Sequence, residues 1–405
     1  MMKLHRGLAV ALLVTAYSVE AKAAGTVETF TLSGHTTDLF VPSAPQAKAA
    51  LVLMLHGCSQ NAQDFEAATL MNDLAEKQGF YVVWPTQPSS HNAGKCWNWF
   101  DPLSQARDAG EPAELVAIVD EAKKRHAIDA AHVYVAGISA GGAMAAVLGA
   151  TYPDVFAAIG VGSGLEYQAA DSVQSGFAAE SKGGPDPVNQ GDAIFAAMGT
   201  RARGMPVIAF HGTADGTVAI VNGHQVIASY SRANADALGV ASLPAPTSVM
   251  SQVDGGHGYT TETTNGPDGA SLLVGVWVTG MDHAWSGGVK GASYTDSNGP
   301  DATGAMWSFL SAHALTAPTG NVAPDGGVTS KGDGGGGGGS GDGGGAGGGA
   351  DGAIGPGSGA ADSDGGAGGG GSAGGCATAG GNDLSLAMFL PLVLAGIAAR
   401  ARRRR

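Results

Sequence analysis

The sequence predicts a single α/β domain whose mostly parallel central sheet is covered by helices on both faces. Two observations support this prediction. The chain has 405 residues, and about 295 of them lie between a candidate export signal and a glycine-rich segment, which suits one domain of this class. Within that stretch, short apolar runs alternate with segments of helical periodicity, as expected when helices connect parallel strands.

Each element is predicted from its own local pattern. Residues 26–41 predict two antiparallel strands at one edge of the sheet. Continuous apolar runs, which are typical of strands buried on both faces, predict sheet strands over residues 50–55, 80–84, 132–136 and 207–210. Later sheet strands are predicted over residues 247–253 and 272–278. Apolar residues at helical spacing predict helices over residues 64–77, 111–126 and 140–151.

The predicted domain is acidic. Between residues 24 and 319 there are 12 Lys and Arg residues against 27 Asp and Glu residues, so this part carries a formal charge of −15. This balance argues against a nucleic-acid partner, because binding phosphates requires a basic surface. The three cysteines are too few for a disulfide-dense mini-fold, and they do not form a zinc-ligand pattern.

The first 23 residues are predicted to be a signal peptide that is removed on export. A basic start with Lys3 and Arg6 precedes an apolar run over residues 8–17, and Ala21-Lys22-Ala23 supplies a cleavage pattern of the A-x-A type. The alternative is an N-terminal anchor helix, but the apolar run is too short to span a bilayer. We therefore expect a secreted protein.

Two further segments follow the predicted domain. Residues 320–381 contain 31 of the 68 glycines and few apolar residues, which predicts a flexible linker. Residues 382–405 contain an uncharged apolar stretch and then an arginine cluster, which predicts an anchor or sorting tail. Together with Cys376, this tail resembles the C-terminal sorting tails of myxobacterial surface proteins. That resemblance implies attachment to the membrane or cell envelope, and a merely hydrophobic tail is the alternative.

Ser139 is the candidate nucleophile. It lies in Gly137-Ile138-Ser139-Ala140-Gly141, a G-x-S-x-G motif between a predicted strand and a predicted helix. This strand–turn–helix context is the one that exposes a reactive serine, because the glycines permit a sharp turn. The alternative is a glycine-rich turn that carries an incidental serine.

A serine hydroxyl needs a general base, and in this arrangement an acid and then a histidine follow the serine along the chain. Asp215 comes after the predicted strand at 207–210 and is the candidate acid, with Asp254 as the alternative. The histidines that come later in the chain are His224, His257, His283 and His313. His283 lies just past the predicted strand at 272–278 and is the candidate base, and His257, in a predicted hairpin loop, is the alternative.

Two main-chain N–H groups are candidates for an oxyanion hole, which stabilises a developing negative charge. One belongs to Ala140, the residue after the nucleophile. The other is expected from the loop after the strand at 50–55, and we assign it to Cys58 in His56-Gly57-Cys58. A tight turn without a catalytic role is the alternative for this loop.

These motifs lie in sequence blocks that resemble the poly(3-hydroxybutyrate) depolymerase family of esterases. The blocks are residues 55–61, 96–100, 134–144, 152–158, 163–165, 211–218 and 283–288. The resemblance implies an α/β-hydrolase fold, a catalytic triad of Ser139, Asp215 and His283, and no metal or cofactor. Relatives with the same blocks include feruloyl and acetylxylan esterases.

Further candidate residues lie in the same blocks. Cys58 and Cys96 flank the implied active site, and in an exported chain they are expected to form a disulfide, with two buried free thiols as the alternative. Trp97, Trp99 and Trp285 are candidates for the lining of a substrate pocket, with core packing as the alternative.

The sequence therefore predicts a secreted, surface-tethered serine esterase that acts through an acyl-enzyme, and the family resemblance implies that its substrates are poly- or oligo(3-hydroxybutyrate)-type polyesters. The linker leads to an apolar tail rather than to a substrate-binding domain, so soluble oligomers and small esters are expected substrates. One alternative is a feruloyl or acetylxylan esterase that acts on plant polysaccharide. The other is a non-catalytic display protein on a hydrolase scaffold, which the complete set of serine, acid and histidine disfavours.

Overall fold

The computed structural model describes residues 24–322 of the chain. The predicted signal peptide (1–23), residues 323–381 of the predicted linker and the predicted anchor or sorting tail (382–405) lie outside the described residues. Within the described range, none of the helices has the length and apolar character that crossing a bilayer requires.

A ten-stranded sheet forms the centre of the described part of the chain. Its strands are β1 (Thr26–Leu32), β2 (His35–Val41), β3 (Ala49–Leu55), β4 (Tyr81–Thr86), β5 (Ile128–Ile138), β6 (Ala158–Gly162), β7 (Val207–Gly212), β8 (Thr247–Gln252), β9 (Gly258–Asn265) and β10 (Ser271–Val278). They lie in the order β1-β2-β4-β3-β5-β6-β7-β10-β9-β8. The six strands from β4 to β10 in this order pair in parallel, whereas the two strands at each end pair antiparallel. The predicted mostly parallel sheet is therefore confirmed.

Helices cover both faces of this sheet, as predicted. The helices are α1 (Ala62–Thr69), α2 (Met71–Gln78), α3 (Gly110–Arg125), α4 (Ala140–Thr151), α5 (Val173–Lys182), α6 (Pro187–Met198), α7 (Ile220–Leu238) and α8 (Ala302–Ser311). Successive side chains of a strand point to opposite faces. Leu51 and Leu53 of β3 accordingly pack in a cluster with α3, α4, α6 and α7, whereas Val52 and Met54 pack with α1, α2 and α8. A short pair of strands, β11 (Trp285–Ser286) and β12 (Thr295–Asp296), lies outside the main sheet.

The helix predicted over residues 64–77 is two helices in the structure. Leu70 has a left-handed backbone conformation with φ of 59°, and it ends α1 and begins α2. Phe65 of α1 and Met71 of α2 still pack in the same cluster, so the apolar spacing continues across the break and does not reveal it. The sequence also did not predict β6, β9, α5 or α6.

Candidate active site

The carboxyl ends of three parallel strands bring the candidate catalytic residues to one edge of the sheet. Ser139 follows β5, Asp215 comes after β7, and His283 comes after β10. In the sheet these strands lie in the order β5-β6-β7-β10. Because the carboxyl ends of parallel strands meet at the same edge, the three loops face the same region.

Ser139 occupies a strained turn between β5 and α4. Its φ of 59° and ψ of −124° lie in a region that residues other than glycine avoid. Its N–H donates to the carbonyl of Gly162 at 2.8 Å, and its own carbonyl accepts from the N–H of Ala143 at 2.9 Å. Neighbouring backbone therefore holds the turn on both sides. The serine stands at the N-terminus of α4, where the helix dipole favours negative charge.

The two glycines of the motif are required by a close approach of backbone segments. A Cβ at Gly137 would lie 2.5 Å from the main chain of Gly141. A Cβ at Gly141 would lie 2.1 Å from the carbonyl oxygen of Leu55 in β3. A side chain at either position would push α4 away from the sheet, so these glycines allow the helix to begin directly after Ser139.

The carboxylate of Asp215 is buried and contacted on both oxygens. The main-chain N–H groups of Thr217 and Val218 donate to Oδ1, each at 2.9 Å. Oδ2 lies 2.8 Å from Nδ1 of His283 and 3.4 Å from Nε2 of His211. Burial opposes ionisation, but the hydrogen bonds and positive charge of the two histidines outweigh it and hold the pKa of Asp215 well below its ordinary value. Asp215 is therefore an anion at neutral pH.

His283 is oriented by its own loop as well as by Asp215. Its main-chain N–H donates to Oδ1 of Asp282 at 2.8 Å, and the N–H of Gly216 donates to the same oxygen at 3.2 Å. Asp282 thus ties the loop of His283 to the loop of Asp215. With Nδ1 donating to Asp215, Nε2 of the neutral ring carries the lone pair that a general base needs.

The two candidate oxyanion N–H groups are free to donate. Neither the N–H of Cys58 nor that of Ala140 donates to another group among the described residues. Nδ1 of His56 donates to the carbonyl of Gly57 at 2.7 Å, and because the peptide is planar and trans, this also fixes the direction of the Cys58 N–H. A Cβ at Gly57 would lie 3.3 Å from Cβ of Ser139, so this loop passes close to the candidate nucleophile.

The protonation of His56 is set by its contacts and its burial. The N–H of Gln87 donates to Nε2 at 3.1 Å, so Nε2 is the acceptor and Nδ1 carries the hydrogen. Burial lowers the pKa of His56 to about 4, which keeps the ring neutral at physiological pH. The indole N–H of Trp97 donates to the carbonyl of His56 at 3.1 Å. His56 and Trp97 therefore act as a support for the Gly57–Cys58 peptide, a role that the sequence did not predict.

Cys58 and Cys96 form a disulfide in the structure. The bond joins the loop after β3 to the segment after β4. The main-chain N–H of Ser59 donates to the carbonyl of Gly94 at 2.7 Å, next to the disulfide. The loop that carries the Cys58 N–H is thus held by a covalent bond and a hydrogen bond.

A mostly apolar cleft lies beside this disulfide. It is lined by Cys58, Cys96, Trp99, Phe100, Val173, Gly176, Phe177 and Glu180. Of the three candidate pocket tryptophans, Trp99 borders this cleft, whereas Trp97 and Trp285 do not and are fully buried. Trp97 stacks on His35 with ring centroids 5.4 Å apart, and Trp285 packs edge-on against Phe65 at 5.3 Å. For Trp97 and Trp285, packing in the interior is therefore what the structure shows.

Glu180 of α5 is a carboxylate in the cleft that the sequence did not single out. Burial raises its pKa to about 7, His283 opposes this shift, and the charge of Asp215 adds to it. The protonation of Glu180 therefore depends on the charges of both His283 and Asp215. No motif surrounds Glu180 in the sequence, so only the folded arrangement of α5 against this edge of the sheet reveals it.

The structure places the alternative acid and base elsewhere. Asp254 and His257 belong to the turn between β8 and β9, at the antiparallel end of the sheet. Nε2 of His257 lies 2.9 Å from a carboxylate oxygen of Asp296. The remaining two late histidines lie in α7 and just beyond α8 (His224 and His313).

A family model described as "Esterase PHB depolymerase" matches residues 36–244, a range that includes Ser139 and Asp215. The chain is 35% identical to poly(3-hydroxyalkanoate) depolymerase C of Paucimonas lemoignei over 252 residues, which are 60% of this chain and 56% of that protein. It is 36% identical to feruloyl esterase B of Neurospora crassa over 129 residues, which are 32% of this chain and 43% of that protein. The chain thus spans about half the length of these curated relatives.

A solved structure supports the fold. The acetyl xylan esterase from Aspergillus awamori superposes with a TM-score of 0.57 at 20% sequence identity, over 71% of this chain and 99% of that one. At this level of identity the similarity concerns the fold alone, and it confirms the predicted α/β-hydrolase fold.

Proposed function

Because the chain belongs to the esterase PHB depolymerase family, we propose that it is a serine esterase that hydrolyses poly- or oligo(3-hydroxybutyrate)-type polyesters. One observation carries the proposal: Nδ1 of His283 lies 2.8 Å from Asp215, at the sheet edge where Ser139 stands in a strained turn. A nucleophile, a base and an orienting acid at the same edge of the sheet are the parts that acyl transfer requires.

In the proposed reaction, Nε2 of His283 takes the hydroxyl proton as Oγ of Ser139 attacks the ester carbonyl. The N–H groups of Cys58 and Ala140 donate to the carbonyl oxygen as it becomes negative. The protonated histidine then gives its proton to the departing alcohol, and the acyl group stays on the serine. In the second half, His283 activates a water molecule, which releases the acid and regenerates the serine. Asp215 remains ionised and stabilises the imidazolium in both halves.

The choice of a polyester substrate is supported by the named relative. The protein from Paucimonas lemoignei is a poly(3-hydroxyalkanoate) depolymerase, and its similarity extends over 252 residues.

A second candidate function is hydrolysis of feruloyl or acetyl esters on plant polysaccharide. The observation that favours it is the 36% identity to feruloyl esterase B of Neurospora crassa, which extends over a shorter stretch of 129 residues. The proposed catalytic residues are the same in both cases. The two candidates differ only in the acid and alcohol that the enzyme accepts.

The proposed location of the enzyme is outside the cytoplasm, at the cell surface. Residues 1–23 have the pattern of an export signal. The glycine-rich stretch at 320–381 separates the predicted domain at 24–319 (the body) from the apolar tail at 382–405. A disulfide between Cys58 and Cys96 is consistent with an oxidising compartment.

The test of the activity is hydrolysis of p-nitrophenyl butyrate by the purified chain and by Ser139→Ala. The matched control is Ser181→Ala, an exposed serine of α5. We expect Ser139→Ala to lose nearly all turnover and Ser181→Ala to keep it. If Ser139→Ala keeps the parent rate while folded, the proposed nucleophile is wrong. If the parent itself is inactive on all esters, the display-protein alternative is favoured.

The test of the substrate is a panel of 3-hydroxybutyrate oligomers, amorphous polyester film, methyl ferulate and acetylated xylan, compared by kcat/KM. We expect the 3-hydroxybutyrate oligomers to be hydrolysed at least about tenfold more efficiently than the others, the discrimination that 1–2 kcal/mol of pocket contacts supplies. Faster hydrolysis of methyl ferulate or acetylated xylan would favour the second candidate function.

A further inference from the structure

Two histidines and a glutamate converge at a place outside the proposed active site. They are His35 at the start of β2, His91 in the segment between β4 and α3, and Glu114 in α3. One ligand atom of each lies within 4.8 Å of the others. Among residues 24–322, this is the one group of three or more His, Cys, Asp or Glu side chains with such spacing.

The ring of His35 is fully buried, and both of its nitrogens face oxygen atoms. Nδ1 lies 3.2 Å from the carbonyl oxygen of Thr86, and Nε2 lies 2.9 Å from Oε2 of Glu114. A carbonyl only accepts, so Nδ1 carries the hydrogen. The contact between Nε2 and Oε2 of Glu114 then needs a positive charge, which either a proton on Nε2 or a metal ion beside the two atoms supplies. Metal-binding histidines show this arrangement, with the second ring nitrogen donating to a carbonyl or carboxylate.

His91 completes the group from the solvent side. Its Nδ1 lies 3.8 Å from the same Oε2 of Glu114, and its ring meets that of His35 edge-on with centroids 5.1 Å apart. Atoms that share a tetrahedral zinc ion at 2.0–2.1 Å lie about 3.3 Å from one another. The ligand atom of His91 must therefore move toward the other two, from separations of up to 4.8 Å, and its side chain is 30% exposed and so has room to do this.

We propose that Nε2 of His35, Nδ1 of His91 and the carboxylate of Glu114 form a binding site for a divalent metal ion of the zinc class. Two imidazoles and one carboxylate suit zinc, whereas calcium and magnesium prefer a shell made only of oxygen ligands. This site departs from the expectation of no metal, which followed from the family resemblance.

The position of this site suggests a structural role for the metal. The ion joins the start of β2 and helix α3 to the segment after β4, which also carries Cys96 and Trp97. Trp97 stacks on the ring of His35 and donates to the carbonyl of His56 at 3.1 Å. His56 in turn orients the Gly57–Cys58 peptide. A bound ion therefore stiffens the support of the proposed oxyanion hole without touching the reacting atoms.

The test is zinc titration by calorimetry on the full chain after treatment with EDTA and dialysis. All proteins carry Cys376→Ser, because Cys376 is the one cysteine outside the disulfide. We expect one zinc equivalent in this parent and a dissociation constant raised at least about tenfold in His91→Ala and Glu114→Gln, as loss of a ligand or its partner requires. His91 is exposed, so His91→Ala should fold, and circular dichroism verifies that it does.

The matched control is His132→Ala. His132 also pairs with a carboxylate, with Nδ1 3.0 Å from Oδ2 of Asp129, but this pair has no third ligand among the described residues. Zinc binding should be unchanged in this variant. Zinc should also raise the melting temperature of the parent and of His132→Ala, but not that of His91→Ala. The proposal is overturned if the parent binds no zinc saturably, or if His91→Ala binds zinc as tightly as the parent does.

Discussion

Nδ1 of His283 lies 2.8 Å from Oδ2 of Asp215, and both side chains are almost entirely buried. Because the pKa of Asp215 is low, its carboxylate places a fixed negative charge beside Nδ1, at one edge of the imidazole ring. The charge holds the ring in one tautomer and favours the protonated ring of the proposed acyl-transfer mechanism. The nitrogen opposite Asp215 is the one expected to act on Ser139.

The first prediction concerns the base. His283→Ala should lower kcat for p-nitrophenyl butyrate on the order of 10⁴-fold or more, close to the effect of Ser139→Ala, because triad residues act as a unit. His257→Ala is the matched control, since His257 forms its own pair with Asp296 at 2.9 Å. Steady-state kinetics on the folded variants provide the measurement. Full activity in His283→Ala together with an inactive His257→Ala would reverse the assignment.

The second prediction concerns the pH dependence of activity and uses Glu180. The pKa of this carboxylate is raised to about 7, so it gains charge as pH rises through neutrality. The ionised form attracts the imidazolium of His283 and thereby favours protonation of the base. Glu180→Gln removes that charge, so the acid limb of the kcat/KM profile should move to lower pH, by roughly a few tenths of a unit.

The control for Glu180 is Glu121→Gln, which removes a carboxylate on α3 that pairs with Lys124 and Arg125. The acid limb of the kcat/KM profile of Glu121→Gln should coincide with that of the parent. An unchanged limb in Glu180→Gln, or a shift of the limb to higher pH, would show that Glu180 does not act electrostatically on His283.

The third prediction concerns stability and a different buried acid, Glu166. Its carboxylate is 1% exposed, and neither oxygen has a well-formed hydrogen bond among the described residues. Burial raises its pKa to about 8, above the ordinary value of about 4.3 in the unfolded chain. Between these values the folded protein keeps a proton that the unfolded chain releases. The contribution of Glu166 to the free energy of unfolding therefore falls as pH rises from about 4.3 to 8.

Glu166→Gln replaces the neutral acid with a neutral amide of similar shape. It therefore removes the loss of stability that Glu166 causes as pH rises. Its stability relative to the parent should increase between pH 5 and pH 8, by an amount on the order of 1–3 kcal/mol. Urea denaturation at both pH values measures the difference, in which contributions from other titrating groups cancel. A relative stability that stays constant with pH would mean that Glu166 is ionised in the folded protein.

The fourth prediction concerns the disulfide between Cys58 and Cys96. The two residues are 38 positions apart, and in the chain-entropy model closing such a loop stabilises the fold by ~3–4 kcal/mol. The double variant Cys58→Ser/Cys96→Ser should lose about this much free energy of unfolding. Its kcat should also fall, because the bond holds the loop that presents the Cys58 N–H. Cys376→Ser is the control and should leave both quantities unchanged; equal stability of the two variants would contradict the prediction.

Much of the candidate site could be predicted from the sequence because it depends on local patterns. The glycines around Ser139 mark the turn, and Asp215 and His283 each come after an apolar strand in the order that the chemistry requires. Strand ends are set by short-range patterning, and the parallel sheet then brings them to one edge. These local patterns place the three residues at one edge of the sheet, whereas the position of β6 between β5 and β7 was not predicted.

The supporting groups could not be predicted because their roles arise from contacts between distant segments. His211 lies four residues before Asp215, but only the folded loop brings its Nε2 to 3.4 Å from Oδ2 of Asp215. Glu180 belongs to α5, a helix with no catalytic motif. The break at Leu70 was missed for a different reason: no glycine or proline marks it, and the apolar spacing is the same on either side.

The last prediction concerns the segment that follows the body. Thr319 and Asn321, at the boundary between the predicted domain (24–319) and the predicted linker (320–381), both bond to the rest of the described chain. The N–H of Thr319 donates to the carbonyl of Ala202 at 2.9 Å, and the side chains of Thr319 and Asn321 donate to the carbonyl of Ala237 at 2.5 and 2.9 Å. Ala237 lies in the last turn of α7, where helix carbonyls lack partners within the helix. These bonds cap α7.

Deleting residues 323–405 should therefore leave the melting temperature and ester hydrolysis nearly unchanged, because the core and the cap of α7 are retained. Deleting residues 319–405 should cost about 1–3 kcal/mol, since the capping bonds are lost and the Ala237 carbonyl loses its partners. Both truncations should move the enzyme from the cell envelope to the medium, because both remove the apolar tail. Thermal denaturation and cell fractionation measure the two effects separately. A 323–405 deletion that stays with the envelope would show that attachment depends on the body, and one that unfolds would show that the deleted residues stabilise the body.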